Sequence, residues 1–520
     1  MLYACWKRRF VMLSILKRLD RTFFSVLCGS LALVFLYLFG YSMLYTCRID
    51  TEFIAAELVL FQKDHLWQNL LRIAAVLLVF FLMVRLGRHL PLKTLTVLCL
   101  GLTFVLGCAW VLLHQGIPIN DTGILHYTAA EMARGNSAEL WRHEIYLRTN
   151  PHQAGYLQYS EIMQRIFGRK STIPQGILNS LYLTGAYAAV LMITWQCFHD
   201  GCIQRLTVLM MLMMIQPVFY TSFLYGNLPG LCAALWAVVF AVRGFCRKSS
   251  VVLAMILLSI AVSLKPNYLI LALALAIVLG IYALSTRRFS ALLLAVCMLA
   301  APVLSAKGTQ MLLEKRTGFE LGKGAPQTVW LAMGMQESSR APGWYNHYPT
   351  DLMESVQGDV EKVTESVWQD IKERAGVFAA DPAYAFDFYH QKMVSQWSET
   401  TFEIGFTNAV MENNSPYPEL VGRILIGDIA QKLAGYFEGY TLVLYLGFAI
   451  GCVMLIFCLK NKKIEWERLM GILVLLLTVF GGFLYHMLFE AKAQYVLFYL
   501  PMMTPVAALG LERMLKAGKK

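Results

Sequence analysis

Hydrophobic residues in this chain come in long blocks rather than alternating with polar ones. Apolar stretches near 23–45, 68–84, 94–113, 176–198, 206–224, 228–242, 251–264, 268–284, 290–305, 436–459, 469–488 and 495–511 are each near the length of a bilayer-crossing helix, which takes about 20 mostly apolar residues. Polar residues gather between them in two long segments, 114–175 and 306–435. In the first, Ile124, Tyr127, Ala130 and Met132 lie close to one face of a short helix that Gly135 and Asn136 would stop. A second helix, over 153–167, follows Asn150 and Pro151. Both are short, amphipathic and next to spans, which predicts helices lying in the membrane interface. The second segment predicts helices over 351–375, capped by Thr350 or Asp351, and from Asp381 and Pro382 to Trp397. No repeat period and no strand-rich stretch stands out. The expected fold is an all-α polytopic membrane protein with about 12 transmembrane helices. It divides into a two-span lead-in (1–93), a transmembrane module (94–305) carrying the loop 114–175, a small helical domain (306–435) and a three-span C-terminal part (436–520).

Composition agrees with this reading: 58% of the 520 residues are hydrophobic and 15% charged, too little polar surface to cover a chain in water. A net charge of +12 is within the range of nucleic-acid binders, but no basic stripe interleaved with aromatics occurs on a polar segment. The charge follows topology instead. With the N-terminus in the cytoplasm, about half of the 45 basic residues fall on inward-facing loops and tails, whereas the short outer connections hold only Arg48, Lys63, Lys265 and Lys492. Both termini are therefore expected to be cytoplasmic and both long segments to face outside. None of the 12 cysteines lies in the long segments, so no disulfide framework is expected, and Cys197 and Cys202 lack zinc-ligand spacing. Glycosylation sequons occur at Asn120 and Asn413.

The informative chemistry is a carboxylate just outside a span, Asp121, preceded by Asn120. An acid there can be ionised and partly shielded from water, which suits a general base acting on a hydroxyl at the membrane surface. On its own, an aspartate in this position is more readily a helix N-cap. Asn120 and Asp121 with Tyr127, Ala129, Ala130 and Gly135, followed by Asn150–Pro151–His152–Gln153 and a helix ending in Phe167–Gly168, resemble the first catalytic loop of GT-C glycosyltransferases. The likeness is to bacterial members related to the protein mannosyltransferases. Three further stretches fit: Tyr225–Gly226–Asn227–Leu228–Pro229–Gly230, Ser263–Leu264–Lys265–Pro266–Asn267–Tyr268, and Glu490–Ala491–Lys492–Ala493–Gln494–Tyr495.

The resemblance implies a cell-membrane enzyme that takes a sugar from a polyprenyl-phosphate carrier on the outer face and passes it, with inversion, to an envelope glycan, lipid or protein acceptor, with Asp121 as base. Two departures stand out. The loop follows the third span, so 1–93 would be an added pair, and Asp121 is followed by Thr122 rather than a second acid. A divalent metal thus lacks an adjacent carboxylate; Glu131 or Glu139 would serve only if folding returned one to the site.

A leaving phosphate gains negative charge, so a cation at the outer interface would stabilise it. Lys265, in a short outer turn, is a candidate, and equally an interfacial anchor. Arg142, His143 and Arg148 form a basic cluster suited to a lipid headgroup or to the carrier phosphate. Lys492 and Gln494 are alternatives for phosphate or sugar, and His152, Tyr225 and Asn227 join them as substrate-binding candidates. A polysaccharide polymerase or ligase would also use a large outer loop. A transporter or flippase fits less well, because the assigned spans contain only Arg72 and Glu438 as charges, both near outer ends.

Overall fold

The computed structural model describes residues 2–50, 57–168, 172–244, 248–409, 418–461 and 466–517; the sequon at Asn413 lies outside them. The protein is an all-α polytopic membrane protein. Among the described residues, 9 helices are long and apolar enough to cross a membrane, and the bent pair Gly201–Met213 and Gln216–Ser222, with an angle of 47°, brings the number to 10. The shorter apolar helices Asn227–Arg243 and Ser249–Leu264 occupy the other two stretches expected to span.

Several helices overrun the expected boundaries. Phe289–Thr317 and Asp428–Asn461 continue beyond the apolar blocks at 290–305 and 436–459; the first runs on until Gly318 takes φ +71° and stops it. The helix expected over 351–375 is instead two, Tyr348–Ser355 and Val360–Ala380. The break falls where Gln357 (φ 53°) and Gly358 (φ 77°) turn left-handed, and Asp359, not Thr350 or Asp351, caps the second helix through the amides of Glu361 and Lys362. Asp381 caps Pro382–Trp397 as expected.

One element was not anticipated. Tyr45–Ile49 and Val59–Lys63 form an antiparallel hairpin in the N-terminal lead-in. It docks on the 306–435 segment: the Val59 amide donates to Arg340 O (3.1 Å). Cys47, Ile49 and Val59 share a core with Ala341, Trp344, Val394 and Ala491. The lead-in is also tied down within the bundle. Arg72, near the outer end of its span, pairs with buried Glu438 at 2.5 Å, and Arg48 meets the same carboxylate at 2.6 Å; a buried acid needs such partners to stay ionised.

The two long polar segments meet at one end of the bundle, where the Ala325 amide donates to Thr149 O (3.2 Å). Helix Asn120–Met132 packs on Ala154–Phe167 through Leu125, Ala129, Met132, Ala154 and Leu157. Glu161, 1% exposed, fastens the second of these to Phe289–Thr317 through Arg316 (2.6 Å) and also pairs with Arg165 one turn along its own helix (2.8 Å). Ile162, Ile166 and Phe167 project outward and exposed, an apolar face of the kind an interfacial helix presents to lipid.

Candidate functional site

Asp121 sits in the first turn of helix Asn120–Met132, behind Asn120, which takes φ 50°; asparagine tolerates that conformation better than most residues. Ile119 is the N-cap residue, so the reading of Asp121 as the cap does not hold. Its carboxylate is reached by solvent yet surrounded by protein, as expected for a group lining a recess rather than the outer surface. Enclosure pushes the Asp121 carboxyl above the usual aspartate range; Lys492 and Lys265 pull it partly back, and Glu57 adds to the upward push. The Tyr146 hydroxyl interacts with both Asp121 and Tyr225 but makes no hydrogen bond of ordinary geometry.

The wall of the recess comes from breaks between helices. Gly155 and Gly226 pack so tightly on the turn after Ser249–Leu264 that a Cβ at either would run into a backbone oxygen, of Ser263 and Leu264 respectively. That contact seats Tyr225 beside Lys265, whose Nζ lies 4.0 Å from the centre of the Tyr225 ring and 5.6 Å from that of Tyr495. No carboxylate lies within ion-pair distance of Lys265 among the described residues, and burial lowers its ammonium to about 7. Tyr225 is held in turn by Gln153, which donates to its hydroxyl. His152 lies next to Gln153; solvent reaches it, but the protein around it, with Lys265 nearby, lowers it below the ordinary histidine range.

Lys492 lies in an extended stretch between helix Trp466–Leu488 and the one starting at Ala493. The stretch is pinned by Ala491 N to Gly343 O (2.8 Å) and by Lys392 Nζ to Phe489 O (2.7 Å). Lys492 pairs with Glu57 and stands 3.7 Å from Glu403. Burial works against its charge, but Glu57, Glu403 and Glu490 outweigh it and hold the amine above the ordinary lysine range. Glu490 accepts from Tyr495 Oη at 3.1 Å.

The structure thus brings Asp121, Lys265, Tyr225, His152 and Lys492 together. Arg142, His143 and Arg148 stay apart: Arg142 and His143 face Glu139 at 3.0 and 3.7 Å, and Arg148 pairs with Glu144 at 2.6 Å, each within its own short helical stretch. Asn120 is exposed beside Asp121. The Gln494 side chain is buried, and its backbone amide donates to Glu403 Oε1 at 3.0 Å. Asn227, 3% exposed, has an Oδ1 without a hydrogen-bond partner. It lines a small, mainly apolar pocket together with Lys265, Leu271, Phe498 and Met502. Glu131 pairs with Arg134, and Glu139 with Arg142, so neither supplies a second acid to Asp121. Among the described residues no group of three or more His, Cys, Asp or Glu side chains is placed to hold a metal ion.

Glu57, Tyr146, Arg340 and Glu403 were missed as site residues. Only the Glu490–Ala491–Lys492 charge pair, interrupting an apolar stretch, hinted that acids gather here.

No protein-family model matches this chain, and no curated protein does. Among solved structures it is similar to the archaeal oligosaccharyltransferase AglB from Archaeoglobus fulgidus in complex with an inhibitory peptide and a dolichol-phosphate, with 10% identity and a TM-score of 0.36 over 82% of this chain and 51% of that one. It is similar to the same degree, 10% and 0.36, to the Archaeoglobus fulgidus oligosaccharyltransferase tethered with an acceptor peptide containing the NVT sequon, over 81% of this chain and 50% of that one. The chain spans about half the length of these structures, and a likeness at this level identifies no family.

Proposed function

We propose that this chain is an integral membrane glycosyltransferase of the GT-C type that transfers a sugar from a polyprenyl-phosphate carrier to an acceptor at the extracytoplasmic face. The observation that carries the reading is the enclosed but solvent-reached Asp121 carboxylate near a lysine that, among the described residues, no carboxylate holds in an ion pair, with a small apolar pocket beside that lysine. A base for the hydroxyl and a cation for the phosphate are what such a transfer needs. Asp121 takes the proton of the acceptor hydroxyl as its oxygen bonds to the anomeric carbon. The bond from that carbon to the phosphate oxygen breaks on the opposite face, and configuration inverts. The departing phosphate carries the electron pair, so no acid is required. Lys265 is better suited than Lys492 to receive it, because Glu57 already pairs with Lys492.

The test is Asp121→Asn in purified protein reconstituted with a polyprenyl-phosphate sugar. Asparagine keeps the shape and, since the side chain is not a cap, costs little stability. Turnover should fall by about a hundredfold or more with an unchanged melting temperature. Wild-type transfer by the folded variant would exclude Asp121 as the base.

A further inference from the structure

The Lys492 charge favours ionised Asp121, yet among the described residues no ion pair joins them; the ammonium pairs instead with a carboxylate from the opposite end of the sequence. Glu57 stands just ahead of the second hairpin strand, is 1% exposed, and divides its two oxygens between Lys492 and Arg340. Arg340 is itself tied to the hairpin through the bond its carbonyl accepts from Val59, and the hairpin shares a core with Ala491 and Ala493 on either side of Lys492. Hairpin, 306–435 segment and the Lys492 stretch therefore pack together, with Glu57 bridging them.

We propose that Glu57 is a positioning residue of the transfer site: by holding the Lys492 ammonium on the hairpin side, it keeps Lys492 from closing an ion pair on Asp121, so that Asp121 remains available to an acceptor hydroxyl. The inference rests on the reading of Asp121 as base. It gives the N-terminal lead-in a part in the site rather than a purely structural one. The charged and titratable groups around Asp121 are Lys492, Lys265, Glu57 and Tyr146, with Tyr345 and Tyr225 nearby; around Lys492 they are Glu57, Glu403, Glu490 and Lys265.

Glu57→Gln removes the restraint and one negative charge. Both effects, the lost charge and a closer Lys492, favour ionised Asp121. The acid limb of the transfer rate should therefore move to lower pH while kcat falls and the carrier's KM changes little. A fold defect would lower the amount of active protein without moving that limb. Glu57→Asp, which keeps the charge, should restore part of kcat. An assay independent of turnover is competitive labelling of lysines with a water-soluble N-hydroxysuccinimide ester, read by mass spectrometry with Lys265 as the internal comparator. Losing one unit of proton affinity should raise Lys492 labelling about tenfold. Should Glu57→Gln fold poorly because Arg340 is left unpaired, Glu57→Gln/Arg340→Met removes both charges together. Unchanged Lys492 labelling with an unmoved acid limb in a folded variant would overturn the proposal. Raised labelling alongside wild-type transfer by Asp121→Asn would locate the failure in the reading of Asp121 instead.

Discussion

A lysine seated between two tyrosine rings is an unusual cation. Burial brings the Lys265 ammonium down to about 7, so as pH rises through that value the free protein loses the charge that would receive a phosphate. Asp121 titrates above the usual aspartate range and must be deprotonated to act as base. The two requirements give kcat/KM a bell shape, with an acid limb set by Asp121 and an alkaline limb near 7. Lys265→Arg keeps its charge at any attainable pH, so it should remove the alkaline limb while leaving the acid one. Lys265→Ala should weaken carrier binding by about ten- to a hundredfold, the scale of one charge-assisted contact, in a direct binding titration; no change there would move the phosphate role to Lys492. Lys265, Tyr225 and Lys492 drew attention in the sequence because each sits in a short polar break between apolar blocks, whereas Asp121, in the long segment 114–175, was singled out by the resemblance of its loop to the GT-C glycosyltransferases. The basic cluster pairs locally for a reason also visible there. Glu139 with Arg142 and Glu144 with Arg148 are spaced three and four residues apart, close enough on helical turns to pair with each other before any ligand.

At the scale of elements, the site depends on two backbone contacts that only glycine permits. Gly155, on the helix Ala154–Phe167, and Gly226, beside Tyr225, both abut the carbonyls that lead into Lys265. A methyl group at either must push the Lys265 turn away. Gly226→Ala should therefore cost about 1–3 kcal/mol in thermal or denaturant unfolding and about a hundredfold in transfer, since a displacement near 1 Å is felt on that scale. If activity fell only in proportion to stability, the turn would tolerate the shift and the contact would be a packing detail. Helices were read well from the sequence because long apolar blocks leave no other backbone arrangement in lipid. The hairpin was not. Its strands are five residues each, and their pairing follows from docking against Arg340 and Trp344, which lie far along the chain. Glu57 was hidden for the same reason: its partners, Arg340 and Lys492, are distant in sequence.

For the molecule as a whole, the arrangement of basic residues predicts a sidedness that the fold makes testable with two probes. The 114–175 and 306–435 segments meet at one end of the bundle. Exposed Cys202 lies at the other, in the first turn of Gly201–Met213 just after Ile173–Phe198. The inward bias of lysine and arginine places the Cys202 end in the cytoplasm. In single-cysteine variants of intact cells, Glu365→Cys, at an exposed position on Val360–Ala380, should react with an impermeant maleimide. Cys202 should react only after permeabilisation. The opposite pattern would put the Asp121 recess on the cytoplasmic side and contradict an extracytoplasmic transfer. It would also reverse the charge rule, leaving the basic loops outside and the net-negative 306–435 segment within. Topology and chemistry therefore stand on one measurement: the side on which Glu365→Cys is labelled is the side on which Asp121 must find its acceptor, because both belong to segments joined at the same end of the bundle.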